Sequence, residues 1–206
     1  VDTDTFKFKS GQYITVEQKI NDVMVRRSYS ISSSPESGIE IGVKLVQNGK
    51  MSTFLTSNLN QGDTLNIMPP TGNFFIDIDT KNSNHYVGIC AGSGITPVMS
   101  MIKNVLTNEP SSTFTLIYGN RTLSSTMYSE EIDLFKEKYN ERFFLYNFYS
   151  KEKIDGSLNG RISGELLKDL FDKNIHLKSA NLFLMCGPGD MIENVSEFLE
   201  LIEIDI

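Results

Sequence analysis

Four short stretches carry residue types that can do chemistry. The first is Gly88-Ile89-Cys90-Ala91-Gly92-Ser93-Gly94-Ile95-Thr96-Pro97. Gly92 and Gly94, with Ser93 between them, let a backbone turn tightly and approach a pyrophosphate. Thr96 can cap the helix that follows, and Pro97 suits its first turn. The helix N-terminus then offers free N–H groups to an anion. Read alone, a glycine pair describes an ordinary strand–helix turn equally well. The second stretch is Arg26-Arg27-Ser28-Tyr29-Ser30. Arg27 can fork onto a diphosphate, Tyr29 can stack on a flat ring, and Ser30 can hydrogen-bond the ring edge. From chemistry alone, an exposed strand with alternating polar side chains is the favoured reading.

The third stretch runs from Val43 and Lys44 to Gly49-Lys50-Met51-Ser52. A glycine before a nascent helix can offer N–H groups and the Ser52 hydroxyl to a phosphate. A plain hairpin turn at Asn48-Gly49 fits as well. The fourth is Met185-Cys186-Gly187-Pro188-Gly189-Asp190-Met191. It falls at the C-terminal end of an expected parallel strand, the edge where open α/β sheets bind ligands. A small buried Cys before a turn is the bland alternative.

The elements that must position these stretches fall into two groups. Short β-type runs over 12–18, 23–32, 39–46 and 64–68 are separated by turn residues, with a short helix expected over 52–58. That spacing suggests a small antiparallel barrel or sandwich. Past Pro69-Pro70-Thr71-Gly72 and the polar Lys81-Asn82-Ser83-Asn84 the rhythm changes. Strands over 86–90, 113–118, 143–149 and 181–186 alternate with helical spacing over 97–106, 129–139, 164–171 and 190–201. Such alternation implies a doubly wound parallel sheet. The expected fold is therefore α/β plus all-β, with a barrel over residues 1–80 and an α/β domain over 81–206.

Bulk properties exclude several classes. The chain has 206 residues and a net charge of −7, which argues against nucleic acid as a partner. No apolar run reaches the roughly 20 residues of a membrane span. Two cysteines, Cys90 and Cys186, are too few for an iron–sulfur cluster, and His85 and His176 have no zinc-type spacing to them. No metal site is expected, and a reducing, cytoplasmic setting fits the thiols. Opening on Val1 in mid-pattern, the chain reads as a fragment, with Val1–Ser10 left of a fuller barrel entry and an ending at Ile204-Asp205-Ile206.

Taken in order, the four stretches resemble the ferredoxin–NADP reductase superfamily, in particular the reductase components of bacterial oxygenases (phenylacetate-oxidation type) and flavohaemoglobin reductase domains. Arg27–Ser30 matches its R-x-Y-S flavin motif, and Gly49–Ser52 its flavin-diphosphate loop. Gly92–Pro97 resembles its G-[ST]-G-I-T-P motif, Cys186-Gly187-Pro188 its C-G-P motif, and Gly11-Gln12-Tyr13 its opening barrel strand. The resemblance implies an FAD-binding barrel followed by an NAD(P)-binding domain. It implies Arg27, Gly49, Lys50, Met51 and Ser52 at the FAD diphosphate, Tyr29 on the isoalloxazine, Ser30 near flavin N5, and backbone contacts at Lys44. It places Gly92, Ser93 and Gly94 at the nucleotide diphosphate and ribose, Thr96 at the flavin–nicotinamide junction, and Cys186 with Gly187 and Pro188 beside the nicotinamide. Ser30, Thr96 and Cys186 are the residues expected at the reacting atoms.

The implied activity is hydride transfer from NAD(P)H to FAD, then single electrons to a 2Fe-2S ferredoxin-type domain, an oxygenase or a haem. A 2Fe-2S cluster would lie outside these residues. Arg121 and Ser124, after the second parallel strand, lean towards NADPH over NADH. The competing reading is a non-catalytic flavin-binding electron-transfer subunit or redox sensor.

Overall fold

The computed structural model describes residues 3–204. The first two residues of the Val1–Ser10 segment and the last two of the Ile204–Ile206 ending lie outside them.

Strand β1 (Tyr13–Ile20) and strand β2 (Val23–Ser30) form an antiparallel hairpin registered from Ile20↔Val23 to Tyr13↔Ser30. Its two-residue turn puts Asn21 and Asp22 at φ 49° and 62°, the left-handed geometry a tight hairpin demands. β1 also pairs with β3 (Asn66–Ile67), giving the order β2-β1-β3. Ile14, Val16, Val25, Ile31 and Met51 form the core of this antiparallel unit. Helix α1 (Lys50–Thr53) runs on as a wider turn through Phe54–Asn58.

The strand expected over 39–46 is not formed; beside β2's end it keeps an isolated bridge, Ile31↔Ile41, and the Ser32 N–H donating to the Glu40 carbonyl at 2.8 Å. The reason lies in what its polar groups do instead. The Lys44 ammonium donates to the Ser125 carbonyl at 3.1 Å, and the Val46 N–H donates to the Ser52 hydroxyl at 3.2 Å. Gly42 packs directly under the Tyr128 hydroxyl, where a Cβ would collide. The segment serves as a bridge to the second half of the molecule. The run over 64–68 likewise shortens to a strand over Asn66–Ile67, with the Met68 N–H still donating to the Thr15 carbonyl at 2.9 Å, and the helix expected from Ser52 starts two residues earlier.

The second half is a five-stranded parallel sheet: β4 (His85–Ala91), β5 (Thr113–Asn120), β6 (Phe143–Tyr149), the short and unanticipated β7 (Leu158–Asn159), and β8 (Leu182–Cys186). Their order is β7-β6-β5-β4-β8. Helices α2 (Ile95–Asn108) and α3 (Ser129–Lys138) cover one face, where Val98, Met101, Ile102 and Ile132 pack with Tyr86, Phe114 and Leu116. Helices α4 (Gly164–Lys173) and α5 (Gly189–Leu201) cover the other, where Leu167, Phe171, Val195 and Phe198 pack with Val87, Ile89, Ile117 and Phe148. Burial on both faces explains why the central strands read as continuous apolar runs.

Helix α2 joins the halves. The Ser100 hydroxyl donates to the Ser33 carbonyl at 2.6 Å, and the Asn104 amide donates to the Ser10 hydroxyl at 2.9 Å. All four residues are buried. Met101 lies against Gly11, whose φ of +108° and close neighbours exclude a side chain. Just past α2, the buried Glu109 carboxyl accepts from the Asp79 N–H (3.1 Å), the Asn82 amide (2.8 Å), the Tyr86 hydroxyl (2.9 Å) and the Ser112 hydroxyl (2.7 Å). That clasp fixes the connection between the two halves.

Candidate functional site

The sheet order reverses between β4 and β8. From there α2 leaves on one face and α5 on the other, which opens a crevice at the strands' C-terminal ends. After β4 the chain turns at Gly92, whose φ of +56° is left-handed and whose carbonyl accepts from the Tyr118 hydroxyl at 3.0 Å. Gly94 then passes against the Cys186 carbonyl at the end of β8, too close for any Cβ. Thr96 does not cap α2 as the sequence suggested. Gly94 takes the N-cap position, and the Thr96 hydroxyl sits in the first turn, donating to the Ser93 carbonyl at 2.8 Å. Pro97 is in that turn, where a missing N–H costs nothing.

Cys186 is half-buried, and its register partner across the β4–β8 pair is the fully buried Cys90. Burial pushes the Cys186 thiol up. Burial pushes Cys90 well up, and the neighbouring Cys186 adds to it.

The antiparallel half supplies the opposite wall. Arg27 is exposed, with its guanidinium donating to the Arg26 carbonyl at 2.6 Å. Burial raises the Tyr29 phenol, and the Arg27 charge draws it partly back. In the α1 loop, Ser52 accepts from the Val46 N–H and donates to the Gly49 carbonyl at 3.1 Å, so its hydroxyl holds the loop shut. The Met51 side chain belongs to the core, whereas Lys50 is exposed at the helix start.

Between these walls lies a cavity of about 1560 Å³. That exceeds the roughly 300–1,000 Å³ of a pocket for one drug-sized ligand. Arg27, Tyr29, Ser30, Lys44, Gly49, Lys50, Met51 and Ser52 line it from the antiparallel half. Gly92, Ser93, Gly94, Thr96, Arg121, Cys186, Gly187 and Pro188 line it from the parallel half. Ser124 does not line it; its hydroxyl pairs with that of Thr122 at 3.2 Å. The cavity also takes in Asn120, Ser150, Arg161, Ser163 and Asn194, which sequence reasoning missed. One signal pointed there: Asn159-Gly160-Arg161, a turn dipeptide followed by a basic residue.

The electrostatics are lopsided. Arg27, Lys44, Lys50, Arg121 and Arg161 face the cavity, against a single carboxylate, Asp190. In a chain of net charge −7, that concentration marks a place for anions. The two-walled volume, the glycine turn and the basic side chains fit a pair of diphosphate-bearing cofactors. No group of three or more His, Cys, Asp or Glu among the described residues could hold a metal ion. No helix there is long and apolar enough to cross a membrane.

Comparison with known proteins agrees with this layout. Residues 1–76 match the oxidoreductase FAD-binding domain family, and residues 89–197 match the oxidoreductase NAD-binding domain family. The chain is 36% identical over 199 residues to one component of the 1,2-phenylacetyl-CoA epoxidase of Escherichia coli, covering 96% of this chain and 56% of that protein. It is 30% identical over 197 residues to a flavodoxin/ferredoxin–NADP reductase of Buchnera aphidicola, covering 93% of this chain and 79% of that one. Several relatives are about twice as long as this chain. Among solved structures, the FAD/NAD-binding domain of Vibrio cholerae nitric oxide dioxygenase superposes with a TM-score of 0.79 at 23% identity, covering 97% of this chain and 82% of that one. A Neisseria gonorrhoeae ferredoxin NADP+ reductase with bound FAD and NADP gives 0.78 at 20% identity, covering 98% and 83%. The antiparallel unit, the doubly wound parallel sheet and the ordered pair of family matches lead to one assignment: the chain belongs to the ferredoxin–NADP reductase-type family of FAD- and NAD-binding oxidoreductases.

Proposed function

We propose that this chain is the reductase core of an electron-transfer system, taking hydride from NAD(P)H onto FAD and delivering single electrons to an iron–sulfur, oxygenase or haem partner. The observation that carries the proposal is the shared crevice, with a basic antiparallel wall facing a glycine turn and a thiol. When bound, the two cofactors supply the redox chemistry; the protein binds, orients and shields them. On this reading residues 1–80 hold FAD and residues 81–206 hold the nucleotide.

Arg27, the Gly49–Ser52 loop and Lys50 would hold the flavin diphosphate, Tyr29 would pack on the ring system, and Ser30 would face its reactive edge. Ser52 acts by holding its loop, and Lys44 by tying that loop to Ser125. Gly92–Gly94, Thr96 and Cys186 would receive the nicotinamide half of the nucleotide, with the protonated Cys186 thiol as a neutral wall. Arg121 is the proposed selector for NADPH over NADH. Two free thiols support a reducing, cytoplasmic setting.

The test is a visible spectrum of the FAD-supplemented protein before and after anaerobic NADPH, then NADH. Bleaching of the flavin bands is the expected result. Bound flavin that neither nucleotide reduces would leave a binding or sensing module instead. With Arg121→Ala, the ratio of kcat/KM values for NADPH and NADH should fall severalfold; an unchanged ratio removes Arg121 as selector.

A further inference from the structure

Behind the crevice wall, where the two halves meet, sits the buried hydroxyl of Tyr128, at the head of α3. The backbone there is left-handed, φ 59°, a costly conformation for a large side chain. The ring is held all the same. Lys103 of α2 places its ammonium 5.9 Å from the ring centroid and pairs with Glu131 at 3.0 Å and Glu40 at 3.9 Å. Helices α2 and α3 and the start of the 39–46 segment thus close around one side chain. Gly42 abuts the Tyr128 oxygen, and the Ser32 and Thr96 hydroxyls lie beside it. Gly42 and Thr96 line the crevice from opposite halves, and Tyr128 stands behind that lining.

A buried O–H needs an acceptor. Burial holds the Tyr128 phenol above its ordinary value of 10, so it keeps its proton near neutrality. Ser32 donates its own proton to the Glu40 carbonyl at 3.3 Å, and Thr96 donates its own to the Ser93 carbonyl at 2.8 Å. Both hydroxyl oxygens can still accept. The Thr96 hydroxyl is then braced from two sides, its proton on Ser93 and its oxygen facing Tyr128. Small misalignments of reacting groups cost rate while leaving binding contacts in place. Resting on the reading of the crevice given above, we propose that Tyr128 is a positioning residue, whose hydroxyl fixes Thr96 and, through Thr96, the nicotinamide against the flavin. Tyr128 touches neither cofactor. It governs the rate of hydride transfer and leaves affinity alone.

Tyr128→Phe keeps the ring and removes the hydroxyl. Stopped-flow reduction of the FAD-loaded protein over a range of NADPH, then NADH, separates the limiting rate from the nucleotide dissociation constant. The limiting rate should fall about tenfold, the effect of one lost hydrogen bond, while the dissociation constant and FAD content hold. Thr96→Val and the double variant complete a cycle. In the Thr96→Val background, Tyr128→Phe should have no further effect on the rate, because the group it acts through has gone. An unchanged limiting rate in Tyr128→Phe would overturn the proposal alone. So would losses that add in the double variant, which would mean that Tyr128 acts without Thr96. A rise in the dissociation constant or a loss of FAD in step with the rate would reduce Tyr128 to general packing and overturn it too. A parent whose flavin neither nucleotide reduces would overturn the reading of the crevice, and the Tyr128 assignment with it.

Discussion

Gly94 and Cys186 meet backbone to backbone: the α carbon of Gly94 lies so close over the Cys186 carbonyl that no side chain fits between them. The nucleotide turn and the end of β8 are thereby set in one fixed relation. Gly94→Ala should lower stability by about 1–3 kcal/mol, the usual cost of overpacking, since main chain cannot yield as a side-chain tip can. It should slow nucleotide-driven flavin reduction while flavin content holds. Urea unfolding and stopped-flow absorbance would measure the two effects.

The Cys186 thiol is held above its ordinary titration range by burial. The thiolate is the nucleophile, so a raised value means little of it near neutrality. Alkylation of Cys186 by iodoacetamide should be slow at pH 7 and accelerate with rising pH past the range of an ordinary thiol. Cys90, fully buried, should label only on unfolding. Mass spectrometry of timed samples would follow both. Cys186→Ala should slow flavin reduction by nucleotide more than it weakens FAD binding.

Glu109 gathers four hydrogen bonds from the connecting segment, β4 and the start of β5's lead-in. Glu109→Ala would leave several buried donors unpaired, each worth about 1–3 kcal/mol. A loss of about 3 kcal/mol or more is expected in urea unfolding, with Glu109→Gln losing less because its amide oxygen still accepts.

His85 and His176, the only two histidines of the chain, stack with ring centroids 5.8 Å apart. Burial first, and then the charge of His176, hold His85 below its ordinary value of 6.5. The folded state thus binds fewer protons here than the unfolded chain does. This contribution is present above pH 6.5 and is lost as pH falls below it. Stability should drop between pH 7 and 5.5, and His85→Gln should flatten that drop. Urea midpoints at the two pH values would show it.

Much of this was readable from residue order. Alternation in β1 and β2, the Asn21-Asp22 turn and the apolar central strands each follow from local chemistry, and the four motifs converge on one crevice because strand ends converge there. What escaped was non-local. The run over 39–46 alternates like a strand, yet Lys44 is taken by Ser125, 81 residues on, which no window of sequence reveals. Thr96 looks like a cap, but Gly94 already fills that position. Ser150 and Asn194 sit in segments whose local pattern is that of an ordinary strand end or helix, so the folded sheet is what shows that they reach the crevice.

Helix α2 is anchored in both halves, through Ser33 and Ser10 on one side and the parallel sheet on the other. The halves therefore share a rigid axle rather than a hinge. The width of the slot between them is set at folding, and cofactors must enter by its open rim. Damage to the antiparallel unit would then register in nucleotide affinity, and heat should melt both halves in a single calorimetric transition.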